Sequence, residues 1–361
     1  MAIAGNCLWQ RLLSAAMHQK ELHHSARAAI RWLRKSIEIH AGQGSAAYWH
    51  LWRGWSAPYP ETTGYLIETL FNYHHLWQDE DLKTQALSCA DWLLTLQRAD
   101  GAFPGGLGTQ GAPIVFDTGQ ILFGLTRTYT ETGELRFLQA AEKAVQWLIK
   151  LWETDGSWWQ AAYVPNYEPS YYTRVAWAVL YANHYLKSEA VQTTMREALQ
   201  HYAERIQVSK SVQDWSFAPN EAAFTHTIAY TIRGFLESAV LLHDASILAS
   251  ATAIAEKLLQ IRQAEGRLAG RYDEAWKGDH RFVCLTGNAQ LSIVFSRLFQ
   301  LTGDEKYRME AQYLLQSALK HQRRNGALAG SAPIWGAYLP FRFPNWAAKF
   351  LLDAVYFFYE K

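Results

Sequence analysis

An internal repeat constrains the fold of this chain more than any other feature. Its period is roughly 55 to 60 residues, as expected for an architecture built from one repeated pair of helices. In each repeat, a loop rich in glycine, proline or aromatic residues precedes a helical segment that is poor in charge on every side. Helices that are apolar all round are typically buried. These six segments begin near Glu61, Phe116, Tyr171, Thr225, Leu285 and Asn345.

A second set of helical segments alternates with the first and is amphipathic. Apolar residues recur at the 3.6-residue helical spacing on one side, as in Ala144, Leu148 and Leu151, and charged residues occupy the other side. Six buried helices alternating with six half-solvated ones predict an all-α fold, an (α/α)6 toroid with an inner and an outer ring of helices. The amphipathic segments are predicted at about 24–40, 81–98, 136–151, 190–208, 246–262 and 305–321.

We expect a single domain over residues 1–361, with residues 1–23 as an N-terminal helical extension. A chain of 361 residues exceeds the usual length of one domain, but a closed ring grows by adding wall rather than core radius. The net charge is +1, from 34 basic and 33 acidic residues. Because nucleic-acid binding needs a basic surface that displaces counterions, a nucleic-acid partner is not expected.

The cysteines and the first residues of the chain indicate in which cellular compartment the protein is located. Cys7, Cys89 and Cys284 are far apart and lack the spacing of a zinc site. Residues 1–10 lack the pattern of a signal peptide, and no apolar run is long enough to span a membrane. No phosphate-binding or nucleotide-binding motif occurs. We therefore expect a cytoplasmic protein with no metal or cofactor and no membrane span, whose oligomeric state the sequence does not define.

The connections between the helices are of two unequal kinds. The inner-to-outer turns are short, as at 132–134 and 302–304, whereas the outer-to-inner loops have roughly 15 to 25 residues. Four of these long loops open with an acid or asparagine before a glycine, a signal for a tight turn at a helix end. All the long loops must lie on the face where the inner helices begin. Since functional residues concentrate on such loops, the site is predicted there.

Two acidic residues lie at the starts of neighbouring inner helices, Glu61 and Asp117. Paired carboxyl groups suit glycosidic chemistry, in which one donates a proton and the other activates water or stabilises charge. A structural role is the alternative for both residues. Asp117 followed by Gln120 resembles a capping box, and Glu61 beside Thr62 would favour the helix dipole.

Alignment of the helix starts places three functional groups at one depth, those of Asp117, Tyr172 and His226. Tyr230 and Arg233 follow His226 at i+4 and i+7, so the three lie on one face of their helix. Tyrosine and histidine in such a pocket could move protons. A buried histidine is also often structural, and both roles stay open for His226.

Further residues are candidates for substrate binding. Arg174 forms an i, i+3 pair with Tyr171, and a buried arginine demands an anionic partner, either a protein acid or a substrate carboxylate. Arg53 and Asn288 are further candidates to bind a carboxylate, although Asn288 also suits an ordinary helix start. Sugar rings stack on aromatic side chains, and loop packing is the alternative. The aromatic candidates are Trp55, Tyr59, Trp158, Trp159 and Trp335.

The chain resembles the six-hairpin (α/α)6 glycosidases, and among them the unsaturated glucuronyl hydrolases. Phe116-Asp117-Thr118 is similar to that family's catalytic Asp-Thr segment, and the run YYTRVAWA from Tyr171 is similar to its Ser-Arg-Gly-Gln-Ala-Trp-Ala segment. The resemblance implies hydrolysis of a uronic-acid-containing saccharide. It also implies that Asp117 is the general acid/base, which protonates an enol ether and directs water, and that Glu61 assists.

Other activities are compatible with the same neighbourhood of folds. The stretch from Arg53 to Tyr65 also looks like toroids of bacterial polysaccharide-biosynthesis clusters. Glucuronyl C5-epimerases and toroidal lyases belong to this neighbourhood. If this chain had such an activity, its Tyr172 and His226 would move a proton, and its Arg174 or Asn288 would neutralise the substrate carboxylate. A non-catalytic glycan-binding toroid is a third alternative. Terpenoid cyclases and protein prenyltransferases share the repeat, but this sequence lacks the Asp-rich motif of the former and a convincing zinc-ligand set for the latter.

Overall fold

The computed structural model describes the backbone of residues 2–359 and the side chains of residues 19–358. Within that part of the chain, helices alternate between an inner and an outer ring, which confirms the predicted (α/α)6 toroid. Each inner helix begins within about two residues of its predicted start, because burial on all sides marks these segments clearly. The inner helices are α2 (Pro60–Trp77), α4 (Val115–Thr132), α6 (Thr173–Leu186), α8 (Thr225–Leu242), α10 (Leu285–Thr302) and α12 (Asn345–Tyr359).

The outer helices pack against the inner ring as the amphipathic pattern predicts. The first helix packs against α12, so the two ends of the chain form the sixth hairpin. Its backbone continues without a break through the predicted N-terminal extension, but the side chains of residues 1–18, including Cys7, lie outside the described residues. The outer helices are α1 (Ala2–Glu38), α3 (Glu80–Leu96), α5 (Leu135–Asp155), α7 (Glu189–Glu204), α9 (Ala245–Glu265) and α11 (Glu305–Leu319).

The inner ring closes because each inner helix packs against the next and α12 returns to α2. The closest approach joins α2 and α4. A Cβ built on Gly64 would lie 2.5 Å from the Ile121 Cα atom, and one on Gly124 would lie 2.3 Å from the Gly64 carbonyl oxygen. Only glycine at both positions allows the two backbones to pack at this distance.

The two kinds of connection are as predicted. In the short turns, Gly133 and Gly303 adopt the left-handed conformation, with φ of 72° and 71°, and end α4 and α10. At the openings of the long loops, Gly101, Gly156 and Gly266 also have positive φ, at 96°, 73° and 74°. The inner helices therefore begin on one face of the ring, where all the long loops lie.

Short strands on that face tie the long loops together. A three-stranded antiparallel sheet joins the first long loop to the last through β1 (Tyr48–His50), with β2 (Gly54–Trp55) on one side and β7 (Arg342–Pro344) on the other. Two further two-stranded sheets link adjacent loops: β3 (Ala223–Phe224) pairs with β4 (Arg271–Tyr272), and β5 (Val283–Cys284) pairs with β6 (Ser331–Ala332).

The described part of the chain contains two buried cysteines and no helix suited to cross a membrane. Cys89 and Cys284 are buried and have free thiols, and burial raises the pKa of Cys89 to about 12 and that of Cys284 to about 11. No helix of the described residues combines the length and the apolar character that a membrane crossing requires.

Candidate active site

A cavity of about 290 Å³ opens at the centre of the ring, where the inner helices begin. The first turns of α2, α4, α8 and α12 contribute to its wall, together with three of the long loops. The wall is almost entirely aromatic, and no lysine or arginine lines it. The lining residues are Tyr59, Glu61, Tyr65, Phe116, Tyr163, Tyr171, Phe217, His226, Tyr230, Tyr338 and Trp346.

Glu61 is the one acidic residue that lines this cavity. Its side chain is 4% exposed, and in the described part of the chain its carboxyl group has no hydrogen-bond partner. Burial, and next the charge of Asp117, hold the pKa of Glu61 well above its ordinary value of 4.5, against the opposing effect of Arg174. A carboxyl group that is desolvated and unpartnered favours its neutral, protonated form.

Asp117 lies directly behind the cavity wall and is fully buried. Its carboxyl group accepts hydrogen bonds from the Gly106 N–H at 2.8 Å and from the Tyr163 hydroxyl at 2.7 Å. Burial raises the pKa of Asp117 to about 7, and the bonds from Tyr163 and Gly106 limit that rise. Donors aimed at both oxygens favour the ionised form, so Asp117 is the more easily ionised of the two acids.

The capping-box alternative is wrong for Asp117, whereas Glu61 lies in the first turn of α2, where a carboxylate would favour the helix dipole. The N-cap of α2 is Tyr59 and that of α4 is Ile114, and neither makes a side-chain cap. Asp117 therefore lies inside the first turn and contacts loop residues instead of capping its helix. Gln120, the supposed partner in a capping box, accepts a hydrogen bond from Arg174.

Tyr163 connects Asp117 to the cavity. It belongs to the long loop before α6, and its hydroxyl contacts the Tyr59 hydroxyl at 2.8 Å as well as the Asp117 carboxylate. The Gly106 N–H also lies 3.0 Å from this hydroxyl. Burial and the neighbouring Asp117 raise the pKa of Tyr163 far above 10, so its phenol stays protonated. A continuous path of hydroxyl groups thus leads from the cavity to Asp117.

His226 lines the cavity from the first turn of α8. The Gln290 side-chain amide donates to its Nδ1 atom at 3.1 Å, so the remaining proton of the neutral ring is on Nε2. Burial, and next the Arg174 charge, lower the pKa of His226 to about 3. The imidazole is therefore neutral near pH 7 and is a weak base.

Arg174 lies beneath the cavity and does not line it, contrary to its proposed contact with substrate. Its guanidinium is fully buried, donates from Nε to Gln120 at 2.5 Å and lies 4.7 Å from the Tyr230 ring centre. Its Nη1 atom has no hydrogen-bond partner, and no acid lies within ion-pair distance in the described chain. The expected anionic partner is thus replaced by aromatic faces and by Glu68 at longer range.

Three more sequence predictions of site residues do not correspond to the cavity wall. Tyr172 is fully buried against Phe116, with 5.9 Å between ring centres, and Tyr171 lines the cavity in its place. Arg233 lies two helical turns further along α8, 3.6 Å from the Glu237 carboxylate. Asn288 faces the outer ring and donates to Ser317 on α11, at 3.0 Å. Helical spacing placed these residues near the site but did not resolve which side of the helix faces the cavity.

Several loop tryptophans serve packing, so their proposed stacking on substrate is wrong for the cavity. Trp158 is fully buried and donates to the Leu148 carbonyl, and Trp55 packs on Trp32 with 4.6 Å between ring centres. Trp159 is half-exposed and donates to Asp155 outside the cavity. Trp215 and Trp276 pack against each other, 5.0 Å apart.

Of the remaining predicted residues, three line the cavity and two lie outside it on exposed loops. Tyr59, Tyr171 and Tyr230 line it, as predicted from the sequence. Arg53 and Trp335 are exposed on the same face, on the loops joined by β1 and β7. Neither residue lines the cavity.

Sequence reasoning missed six lining residues, although a signal existed for some of them. Tyr65 lies four residues after Glu61 on α2, a spacing that places both on one face. The aromatic content of the long loops indicated a binding surface, but not which rings would turn inward. The missed residues are Tyr65, Phe116, Tyr163, Phe217, Tyr338 and Trp346.

Larger depressions exist on the outer surface, but they lack the chemistry of the central cavity. The largest, of about 620 Å³, lies between α1 and α11 and includes Lys20, Glu21 and Gln322. Among the described side chains that line it, Glu21 is the single acid, so it holds no pair of acids. Size alone therefore does not identify the site, whereas paired acids with raised pKa values do.

Comparison of the sequence with known families and proteins gives no match. No protein-family model matches this chain. No curated protein matches it with significant similarity either.

Comparison of the structure gives clear matches, and the following three are distant in sequence. An unsaturated glucuronyl hydrolase specific for heparin matches with a TM-score of 0.75 at 15% identity, over 94% of this chain and 97% of its own. The unsaturated glucuronyl hydrolase responsible for glycosaminoglycan degradation from Bacillus sp. GL1 has a TM-score of 0.72 at 13% identity, over 93% and 95%. The cellobiose 2-epimerase of Bacillus thermoamylovorans has 0.68 at 14%, over 86% and 92%. The predicted resemblance is thus confirmed at the level of the fold.

Proposed function

We propose that this protein is a carbohydrate-active enzyme that hydrolyses a glycosidic or enol-ether bond in a uronic-acid-containing saccharide by acid/base catalysis. One observation carries the proposal: two neighbouring carboxyl groups with raised pKa values, one of them facing an aromatic-lined cavity. Paired acids of unlike ionisation supply both the proton donor and the base that hydrolysis needs. The structural neighbours named as unsaturated glucuronyl hydrolases support the same reaction class.

The burial of the two acids assigns them different roles. Glu61 faces the cavity and is protonated near neutral pH, so it donates the proton to the substrate oxygen or carbon. Asp117 accepts two sets of hydrogen bonds and ionises near pH 7, so it acts as the base. This assignment exchanges the roles that the sequence resemblance implied, in which Asp117 carries the proton and Glu61 assists.

Tyr163 gives the buried Asp117 access to water. Its hydroxyl lines the cavity and donates to the Asp117 carboxylate. As a water attacks the sugar carbon, its proton passes to the Tyr163 oxygen while the Tyr163 proton passes to Asp117. The aromatic wall provides stacking faces for one sugar ring and excludes bulk water, which strengthens the electrostatic interactions.

Sugar epimerisation is the second candidate, and one observation favours it. His226 lines the same cavity, and some structural neighbours are named as sugar epimerases. In that alternative His226 would remove or return a substrate proton. Its pKa of about 3 makes it a weak base, and Tyr172, its expected partner, does not line the cavity. Hydrolysis is therefore our first choice.

We also propose that the protein is located in the cytoplasm. The buried free thiols of Cys89 and Cys284 suit a reducing compartment. Fractionation of cells that produce the full chain tests this: recovery with cytoplasmic markers is expected, and recovery with secreted or envelope proteins would overturn it.

The function is tested by incubating the protein with a panel of uronic-acid polysaccharides and their unsaturated oligosaccharides. Ultraviolet absorbance reports the unsaturated uronate, a reducing-end assay reports cleavage, and deuterium uptake from heavy water reports proton exchange. The variants are Glu61→Gln and Asp117→Asn. Glu153→Gln, an exposed substitution on α5 outside the cavity, is the matched control.

We expect cleavage by wild type and by the control, and a loss of about 10²- to 10⁴-fold in both cavity variants. Absorbance falls if the substrate is an unsaturated oligosaccharide and stays constant if it is saturated. Rising absorbance would replace hydrolysis by a lyase reaction, and deuterium uptake without cleavage would replace it by epimerisation. No reaction with any member of the panel, or full activity of both variants, would contradict the proposal.

A further inference from the structure

Two long loops meet beside the cavity and form an exposed surface. The Leu51 N–H donates to the Phe341 carbonyl at 3.1 Å, and the Phe341 N–H donates to the Ile334 carbonyl at 2.8 Å. These bonds place the tip of the first long loop against the last one. We call the surface the rim platform and define it as Trp52, Arg53, Trp335, Phe341 and Arg342.

The aromatic side chains of the rim platform are exposed in a way that packing does not explain. Trp52 is 69% exposed and Trp335 is 67% exposed, whereas Trp158 and Trp215 on other loops are buried. The Trp52 ring contacts the Phe341 ring, 4.8 Å away, which holds it in place. Large apolar rings left in water on a loop scaffold mark a binding surface, and indoles are good stacking faces for sugar rings.

The rim platform is also basic, and its surroundings contain no acid. Neither residues 44–60 nor residues 327–346 include an aspartate or glutamate. Within the described chain, Arg53 and Arg342 have no acidic partner at ion-pair distance, although the other long loops contain pairs such as Arg271 with Asp279. The pKa of His50, between them, is lowered by burial and then by the charges of Arg342 and Arg53. Both guanidinium groups are thus available to an external anion.

The cavity has the opposite character. It contains Glu61, has Asp117 behind its wall and is lined by no cationic side chain. A substrate carboxylate inside it would meet two acids and no exposed base, whereas the same group on the rim platform would meet two unpaired arginines. One loop contributes to both surfaces, because Tyr338 lines the cavity and lies in the chain between Trp335 and Phe341.

From this geometry we propose that the rim platform is a subsite for an acidic sugar unit of the substrate. One tryptophan stacks on that ring, Arg53 and Arg342 bind its carboxylate, and an uncharged neighbouring ring enters the cavity. Of the two proposed bonds, the inference therefore selects the glycosidic bond of that uncharged ring, not the enol ether of an unsaturated uronate. The inference rests on the proposed function for the identity of the ligand as a saccharide. The binding it describes does not depend on turnover.

Affinity electrophoresis tests the inference with the full chain. The gels contain acidic polysaccharides of several backbones, each compared with its carboxyl-reduced derivative, and polyglutamate serves as an anion that is not a sugar. The variants are Trp52→Ala and the double variant Arg53→Ala/Arg342→Ala. Arg308→Ala and Met309→Ala, at the exposed start of α11 on the opposite face, are the matched controls. Asp117→Asn separates binding from catalysis.

We expect at least one acidic polysaccharide to retard wild type, both controls and Asp117→Asn equally. Retardation should weaken at least tenfold in either platform variant and with the carboxyl-reduced polymer. Equal retardation of the platform variants, equal retardation by the reduced polymer or by polyglutamate, or none by any polysaccharide would overturn the inference. If the protein hydrolyses a substrate but the platform variants are retarded as strongly as wild type, the subsite is wrong and the proposed function stands. If the platform variants lose binding but wild type turns over no substrate, the proposed function is wrong and the subsite stands.

Discussion

Glu61 and Asp117 have the same functional group but different surroundings, and this difference determines their chemistry. Glu61 faces the cavity without a hydrogen-bond donor, so burial keeps it protonated. Asp117 is equally buried, but Tyr163 and Gly106 donate to it and compensate part of the cost of its charge. At neutral pH the pair therefore holds one proton donor and one group close to half ionised.

The substitution Tyr163→Phe tests the role of the hydroxyl path. It removes a hydrogen bond that lowers the pKa of Asp117, so that pKa should rise by about one unit. Since the base must be ionised, the acidic limb of the kcat/KM profile should shift upward by the same amount, and kcat/KM at pH 7 should fall by at least about fivefold. The measurement is the pH dependence of kcat/KM on the best substrate of the panel.

Tyr313→Phe is the matched control, because the Tyr313 hydroxyl donates to the Gly266 carbonyl on the outer surface. It should leave the profile unchanged. A Tyr163→Phe profile that loses amplitude without any shift would mean that the tyrosine supports the fold of the loop and does not act through Asp117.

At the residue scale, the sequence predicted site residues whose position follows from the start of a helix. It did not predict residues whose position depends on the path of a loop or on the rotation of a helix. Glu61 and His226 lie in first turns, so their depth followed from the repeat. Tyr163 is 46 residues from Asp117 in the chain, and no local pattern joins them. Tyr171 lines the cavity instead of Tyr172 because residues 170–172 form a 3-10 turn, whose tighter winding rotates the side chains relative to an α-helix.

At the scale of elements, the helices were predictable because buried and half-buried helices have different patterns. The starts of α8, α10 and α12 fall on the predicted residues. The helix α6 begins two residues later than predicted, because the 3-10 turn precedes it. The pairing of β1 with β7 was not predictable, since two- and three-residue strands carry no alternating pattern.

The close packing of α2 on α4 leads to a stability prediction. Gly64→Ala places a methyl group 2.5 Å from the Ile121 Cα atom and 2.9 Å from the Gln120 carbonyl oxygen, where backbone must move. We expect it to lower the free energy of unfolding by about 1–3 kcal/mol, despite the higher helix propensity of alanine. Chemical denaturation followed by circular dichroism measures the change.

Thr193→Ala on the exposed face of α7 introduces alanine into a helix without a packing clash and should change stability by no more than about 0.5 kcal/mol. Because Gly64 lies three residues from Glu61, Gly64→Ala should also reduce activity. If Gly64→Ala were as stable as the control, the two inner helices could not be as close as described.

At the scale of the whole molecule, the ring closes through contacts between the two ends of the chain. Asn345, at the start of α12, accepts a hydrogen bond from the Trp32 indole of α1 at 2.9 Å and donates to the Ser45 hydroxyl at 3.1 Å. It also donates to the Ala46 carbonyl. These bonds are buried and join segments about 300 residues apart in sequence. One side chain thus fixes the junction between the first and last hairpins.

The substitution Asn345→Ala should therefore destabilise the protein by about 2–4 kcal/mol, because it leaves the Trp32 indole N–H buried without a partner and removes the bonds to Ser45 and Ala46. We propose that residues 1–361 unfold as one domain, so the thermal transition should move to lower temperature as a single step. Gln110→Ala, an exposed amide on a loop, should leave the transition unchanged. A separate early transition in Asn345→Ala would show that the closing hairpin unfolds alone.

The central claim is that the cavity combines a protonated Glu61 with an Asp117 that ionises near neutral pH. Carbon-13 NMR of carboxyl-labelled aspartate and glutamate, recorded from pH 4 to 10, measures this without a substrate. The account predicts a midpoint of about 7 for Asp117 and a midpoint well above 4.5 for Glu61. Asp117→Asn should lower the pKa of Glu61, because the neighbouring charge is gone, whereas Glu61→Gln should leave Asp117 near 7. Ionisation of both groups between about pH 3.5 and 5 in the folded protein would contradict the account.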